Sequence, residues 1–124
     1  MTTFDLERTY LAVDRGEVIE LPVGPDFWEK VGASPAATRS LVGVYPNAAD
    51  WPHWEMHPEG AEVLVLLEGR IDLLLDDGKG ERVAHMEEGT TVVVPSGVWH
   101  RAQVREPGRL LVITWGRGTQ HRPA

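Results

Sequence analysis

Cysteine is absent from the 124 residues of this chain. Disulfides, thiolate zinc sites, iron–sulfur clusters and cysteine nucleophiles are therefore excluded, and any bound metal must be held by nitrogen and oxygen atoms. Long apolar runs are lacking as well, because no run approaches the roughly 20 residues that a membrane-spanning helix needs. We therefore expect no membrane association.

Positive charge is scarce: 12 lysines and arginines stand against 19 aspartates and glutamates, which gives a formal net charge of -7. Without a Lys/Arg cluster to contact a phosphate backbone, we predict no nucleic-acid binding. The sequence also lacks a phosphate-cradling glycine loop and the Gly-x-Ser-x-Gly elbow of serine hydrolases. Its first residues have neither the basic nor the apolar region of a signal peptide, so the predicted location is cytoplasmic.

Turn-forming residues are plentiful, with 13 glycines and 9 prolines that separate short runs of valine, leucine and isoleucine. Such closely spaced short strands are typical of a sandwich or barrel. We therefore predict an all-β, single-domain β-barrel over residues 1–124, with at most one short helix, at Pro25–Val31. Residues 1–37 are expected to form an N-terminal extension or edge strands, 38–116 the barrel, and 117–124 a tail that frays. The predicted barrel strands are Thr38–Tyr45, Pro52–His57, Glu62–Leu67, Arg70–Leu75, Glu81–Met86, Thr91–Val94, Trp99–Val104 and Leu110–Trp115, with edge strands near Tyr10–Val13 and Val18–Leu21.

Alternation along the predicted strands indicates which side chains point inward. Glu68 and Gly69 are interpreted as a tight hairpin turn between two strands. The inward side chains are expected to form a largely apolar pocket of the kind that binds small molecules; they are Leu64, Leu66, Ile71, Leu73, Val98 and Ala102. The runs Val63–Leu67 and Leu110–Ile113 are apolar on both faces, which requires a cover outside the barrel. The N-terminal segment or a second copy of the chain would supply it, and we predict a homodimer.

Two short stretches carry side chains of the kind that bind metals, one from Trp51 to Glu62 and one from Gly89 to His100. Glu55 and His57 are two positions apart on a predicted strand and therefore share a face. A proline and a glycine then turn the chain, so that Glu62 begins the next strand facing the same point. His100 stands near the start of a later strand, after a tight Pro-Ser-Gly turn. Imidazole and carboxylate groups suit Fe(II), Mn(II), Zn(II), Ni(II) or Cu(II).

These stretches resemble the two motifs of the cupin superfamily. The first motif is His-x-His, three or four residues, Glu, six residues and Gly, and His57, Glu62 and Gly69 fit this spacing. The second motif is Gly, five residues, Pro-x-Gly, two residues and His, and it is matched in full between Gly89 and His100. The resemblance implies a cupin-type barrel, a double-stranded β-helix or jelly roll, with His57, Glu62 and His100 as metal ligands.

The chain departs from the first motif at Glu55, where the family has its first histidine. Glu55 is interpreted as a fourth, carboxylate ligand or as a free acid or base beside the metal; an ordinary solvated residue is the simpler alternative. His53, two positions earlier on the same face, would substitute if the strand bulges. The motif residues would otherwise form a metal-free cluster of one acid and two imidazoles. His85 is interpreted as a surface histidine, and His121 in the tail receives no role.

The resemblance implies a small cupin that binds a divalent transition metal (Fe, Mn, Zn or Ni) and a small organic molecule next to it. Oxygenase-, isomerase- or cyclase-like chemistry would follow, with Glu55 as the candidate catalytic residue. The alternative is a non-enzymatic small-molecule-binding or sensor protein, with or without metal.

Overall fold

The computed structural model describes residues 2–124. Within that range, an α-helix, α1 (Phe27–Lys30), is followed by two 3₁₀ turns, at Val31–Ala33 and Pro35–Thr38, and strands dominate the rest. The strands are β1 (Thr9–Asp14), β2 (Glu17–Pro22), β3 (Ser40–Asn47), β4 (His53–Met56), β5 (Glu62–Asp76), β6 (Glu81–Met86), β7 (Thr91–Val94), β8 (Trp99–Thr114) and β9 (Gln120–Pro123). The predicted all-β class with a short helix is confirmed. No helix among these residues has the length and apolar character that crossing a membrane requires.

Two long strands, β5 and β8, build the barrel. They lie antiparallel and pair from Glu62 with Thr114 to Asp76 with Trp99. The first half of β5 also pairs with β7 and its second half with β6, while β8 pairs with β4 near its start and with β3 near its end. Each long strand therefore contributes to both of two sheets that enclose the core. At one edge, β1 and β2 extend the sheet beyond β3, where edge strands were expected.

The predicted hairpin at Glu68 and Gly69 is wrong, because β5 continues through both residues. The register against β8 shifts at this point, which marks a bulge. Gly69 has φ +91°, and a Cβ there would lie 2.6 Å from the Glu106 carbonyl oxygen. On the facing strand, a Cβ on Gly108 would overlap the Glu68 carbonyl group. The two strands approach so closely that glycine is needed on both, and this corner carries each strand from one sheet into the other. Two predicted strands likewise merge into β8.

The side chains predicted to point inward do so, but they fill the barrel and do not line the pocket. Val98 is partly buried and packs against this core. Side chains from β5 and β8 meet those of β6 and β7 and fill the part of the barrel between these four strands. The cavity described below lies outside this filled part. The core residues are Leu64, Leu66, Ile71, Leu73, Met86, Val94, Ala102, Leu110 and Val112.

The C-terminal tail, predicted to fray, instead forms β9 and pairs with the whole of β4. The guanidinium group of Arg122 lies 5.0 Å from the centre of the Trp54 ring and 4.7 Å from that of Trp99. Arg122 Nη2 also donates to Asp76 Oδ2 at 2.8 Å. These cation–π contacts and the ion pair hold the tail against the barrel. The polar sequence of the tail does not by itself predict these contacts, because their partners lie far away along the chain.

Candidate metal centre

Three strands bring the motif residues to one end of the barrel. Glu62 is the first residue of β5, and His100 is the second residue of β8. Glu55 lies in β4 directly opposite His100, and His57 follows the last residue of β4. His57, Glu62 and His100 are only 4%, 5% and 0% exposed. The structure thus places close together all four residues that the sequence indicated.

The two histidines face the carboxylate of Glu62. His100 Nε2 lies 2.8 Å from Glu62 Oε1, and His57 Nε2 lies 3.1 Å from Glu62 Oε2. The hydroxyl of Thr114, the register partner of Glu62 on β8, donates a hydrogen bond to Oε2. These contacts fix the carboxylate between the two imidazole rings.

The other ring nitrogen of each histidine is bound to the protein. His57 Nδ1 lies 2.7 Å from Thr119 Oγ1, and His100 Nδ1 donates to the Val98 carbonyl oxygen at 3.2 Å. Both Nε2 atoms and Glu62 Oε1 are buried and have no hydrogen-bond partner of acceptable geometry among residues 2–124. Buried polar atoms without partners are rare in native proteins. Three of them at one point indicate a site built for a further group.

The distances in this cluster suit a divalent metal. Nitrogen and oxygen ligands lie about 2.1 Å from such a metal, so that two ligands at right angles are about 3.0 Å apart. The two nitrogen–oxygen distances, 2.8 and 3.1 Å, are close to that separation and also equal ordinary hydrogen-bond lengths. One ligand atom from each of Glu55, His57 and His100 also lies within 4.8 Å of the other two. The site is therefore able to hold a metal ion through imidazole and carboxylate groups.

Glu55 differs from the other three residues in its exposure. Its side chain is 32% exposed, and its Oε1 lies 3.3 Å from His121 Nε2. His121 reaches this position because β9 pairs with β4 and sets the two residues opposite each other. Glu55 is thus a carboxylate at the open side of the site, with an imidazole as its neighbour.

Electrostatic contacts determine the charge of the cluster. Burial raises the pKa of Glu62, but the contacts with His100 and His57 outweigh burial and lower that pKa to about 2. Burial lowers the pKa of His100, whereas the contact with Glu62 outweighs it and leaves this pKa above its usual value. Glu62 is therefore ionised at neutral pH, and its negative charge favours a proton or a metal cation beside it.

A cavity of about 850 Å³ extends from the cluster and is lined in part by Glu55, His57 and Glu62. Such a volume is in the usual range for a small-molecule site. Burial raises the pKa of the Tyr45 phenol in its wall, which stays neutral as a result. The walls differ from the predicted ones, because the N-terminal segment and the turn before β9 supply much of the surface. The larger wall residues are Trp28, Val31, Leu41, Tyr45, Trp51 and Val112.

Of the other histidines, His121 is part of the cavity wall, whereas His53 and His85 lie outside it. His53 is exposed at the start of β4, and His85 is exposed on β6, where its Nδ1 lies 2.7 Å from Asp72. Sequence reasoning did not single out Thr114 or Thr119. The alternation along Leu110–Ile113, continued by one step, would have pointed Thr114 inward, whereas no local pattern marks Thr119.

A jelly-roll barrel with a cluster of histidine and glutamate side chains at one end is typical of proteins with a cupin domain. The family model of the cupin domain matches residues 40–114. The chain belongs to the cupin family, which confirms the resemblance seen in the two motifs. No curated protein matches the chain.

Solved structures with a similar fold include a dioxygenase and a protein that holds Fe(II). A double-stranded β-helix protein from Klebsiella pneumoniae is 21% identical, with a TM-score of 0.56 over 68% of this chain and 76% of that chain. A hydroquinone 1,2-dioxygenase, PnpCD, solved with Cd²⁺ and 4-hydroxybenzonitrile, is 16% identical, with a TM-score of 0.53 over 60% of this chain and 56% of that chain. HppE, solved with Fe(II) and its substrate, is 21% identical, with a TM-score of 0.51 over 60% of this chain and 45% of that chain. The matches span about half of the two enzyme chains, and at these identities the likeness shows the fold.

Proposed function

We propose that this cupin binds one divalent transition metal through His57, Glu62 and His100, with Glu55 as a fourth ligand or as an acid or base beside the metal. The observation that carries the proposal is the convergence of three buried atoms without hydrogen-bond partners, the two Nε2 atoms and Glu62 Oε1. Imidazole lone pairs that face an ionised carboxylate repel it unless a proton or a metal cation lies between them. A metal ion satisfies all three atoms together.

Iron, manganese, zinc and nickel all accept this set of ligands, because imidazole and carboxylate groups select only weakly among them. Two proteins of the same fold are solved with Cd²⁺ and with Fe(II), and these structures support a metal in a barrel of this kind. Availability in the cell then determines which of the four metals occupies the site.

A small organic molecule is the second component of the proposal, and the cavity is its binding place. A divalent metal, when bound, supplies a Lewis acid. The apolar wall removes water from the bound molecule, and Glu55, at the open side of the cluster, accepts or returns a proton. Oxygenase-, isomerase- or cyclase-like chemistry fits this arrangement. A sensor or sequestering protein would use the same cavity without a need for Glu55.

Metal content tests the proposal. Protein without a histidine tag is treated with a chelator, dialysed against Fe(II), Mn(II), Zn(II) or Ni(II), and analysed by mass spectrometry of the element. We expect about one equivalent in the wild type and about a tenth of that or less in the His57→Ala/His100→Ala variant, because two ligands are lost. A His53→Ala/His85→Ala variant removes two exposed histidines and should keep its metal. A wild-type protein that binds none of the four metals would refute the site.

We also propose that the chain forms a homodimer in the cytoplasm. A row of apolar side chains crosses the outer face of the sheet from β1 to β7, each in register with the next: Leu11, Val42, Ile113, Val63 and Val93. Val93 is 59% exposed. An apolar row of this length favours burial against a second copy of the chain.

A further inference from the structure

We propose that Thr119 is a positioning residue whose hydroxyl keeps the proton of His57 on Nδ1, so that Nε2 is presented to the metal with its lone pair free. The inference rests on the metal site proposed above, but the hydrogen bonds that support it do not involve the metal. Thr119 is 62 positions from His57 in the sequence and belongs to neither cupin motif. It therefore adds a residue from the C-terminal segment to the site.

The proton count at Thr119 fixes the direction of each hydrogen bond. Oγ1 lies 2.7 Å from the Gly116 carbonyl oxygen and 2.7 Å from His57 Nδ1. A hydroxyl has a single proton and a carbonyl oxygen only accepts, so the Thr119 hydroxyl donates to Gly116. Toward His57, Thr119 Oγ1 is then an acceptor, and Nδ1 must be the donor. In the neutral imidazole, Nε2 is left without a proton.

His100 reaches the same tautomer with a different partner. Its Nδ1 faces the Val98 carbonyl oxygen at 3.2 Å, which accepts and so requires a proton on Nδ1. In the neutral rings, both Nε2 lone pairs consequently point at Glu62. Metal-binding histidines usually donate their second nitrogen to a fixed acceptor, which orients the ring and selects the tautomer. At His57 this acceptor is a side-chain hydroxyl, and a single substitution removes it.

The turn that carries Thr119 is held beside His57. The Thr119 backbone N–H donates to the Gly116 carbonyl oxygen at 3.1 Å and closes the turn. Gly118, at φ +75°, packs so that a Cβ there would lie 3.2 Å from Cγ of Pro58, the residue after His57. β9 begins directly after Thr119 and is fixed along β4. The hydroxyl is therefore presented by a turn with contacts on both sides.

Removal of the hydroxyl should reverse the tautomer of His57. A proton on Nδ1 would then face an apolar group at a residue that is 4% exposed, where water offers little compensation. A proton on Nε2 would instead face Glu62 Oε2, 3.1 Å away. That proton points at the position between the two histidines and the carboxylate. The substitution thus turns His57 from a metal ligand into a hydrogen-bond donor.

Two variants of nearly constant size test the inference. Thr119→Val removes the hydroxyl, and Thr119→Ser keeps it. Nuclear magnetic resonance of the imidazole nitrogens, recorded on chelator-treated protein at alkaline pH, reports the tautomer without any metal. We expect the Nδ1–H form of His57 in the wild type and in Thr119→Ser, and a shift toward the Nε2–H form in Thr119→Val. His100 should stay unchanged in all three and serves as the internal control.

Metal affinity gives the second readout, measured by competition with a coloured chelator. Thr119→Val should weaken the affinity by about 10- to 100-fold, and Thr119→Ser should restore it. Thr119→Ala provides another hydroxyl-free variant if valine disturbs the fold. A His57 tautomer that does not change in the hydroxyl-free variants overturns the inference, and so does unchanged affinity after the tautomer has switched. Wild-type protein that binds no metal refutes the proposed function, whereas the tautomer comparison still decides whether Thr119 orients His57.

Discussion

Glu55 and Glu62 are two carboxylates of one site in opposite surroundings. Glu62 is buried between two imidazoles, which hold its pKa at about 2, and it is therefore a permanent anion near neutral pH. Glu55 is 32% exposed, lies at the cavity wall and has His121 as its neighbour. Two acids in different environments often divide binding and proton transfer between them. We accordingly expect Glu62 to bind the metal and Glu55 to exchange protons.

The Glu55→Gln variant tests this division. Metal affinity should change by less than about tenfold because His57, Glu62 and His100 remain. Turnover should fall by about 100- to 10,000-fold, the usual contribution of a general acid or base. The measurement is product formation from a panel of small organic acids and phenols, with metal content determined on the same samples, and Glu59→Gln is the control for loss of a nearby negative charge. Unchanged turnover with metal retained contradicts the acid/base role, and loss of the metal identifies Glu55 as a ligand instead.

The sequence predicted the residues of the cluster better than their partners. His57 and Glu62 flank a single turn, and His100 follows a tight turn, so that local spacing alone determines where each residue lies relative to the end or the start of a strand. Thr119 and His121 approach from the C-terminal segment, which the composition indicated would fray. Their positions depend on the pairing of β9 with β4, a contact between distant parts of the chain.

At the level of elements, the corner in β5 and β8 determines where the barrel closes. A Glu-Gly pair between apolar runs fits a hairpin and a bulge equally well. The bulge forms, and not the hairpin, because β8 continues alongside β5 and places Gly108 against the Glu68 carbonyl group. Alternation predicted the inward residues on each side correctly, because it needs only the strand itself. It did not predict that these residues pack as core while the cavity is lined by the N-terminal segment.

Substitution at this corner should be costly. In Gly108→Ala the new methyl group would overlap backbone atoms of Glu68, which cannot move without displacing β5. We expect the free energy of unfolding to fall by about 1–3 kcal/mol or more, as for other overpacked sites. Urea denaturation measures it, and Gly32→Ala is the matched control, because a Cβ at Gly32 meets nothing within 4 Å. If the two variants prove equally stable, the close crossing of the strands is incorrect.

For the whole molecule, the outer face of the sheet is the surface that bears on assembly. The apolar row from Leu11 to Val93 crosses five strands, and its central members are only half-buried by the chain itself. The sequence indicated apolar character on both faces of these strands but not whether the N-terminal segment or a second copy covers them. Val93 is 59% exposed in the single chain, which favours the second copy.

Light scattering at several protein concentrations tests the homodimer. We expect the mass of two chains for the wild type and a shift toward one chain for Val93→Lys, because a charge in the apolar row must be desolvated on association. Val83→Lys is the control, since Val83 is 50% exposed on β6, outside the row. Wild-type protein with the mass of a single chain at every concentration contradicts the prediction.

Anomalous diffraction from a crystal loaded with one transition metal tests the metal site most directly. We expect a single strong peak about 2.1 Å from Nε2 of His57, Nε2 of His100 and a carboxylate oxygen of Glu62. No peak between these three side chains, or a peak at the exposed His85 and Asp72 pair instead, would contradict this expectation.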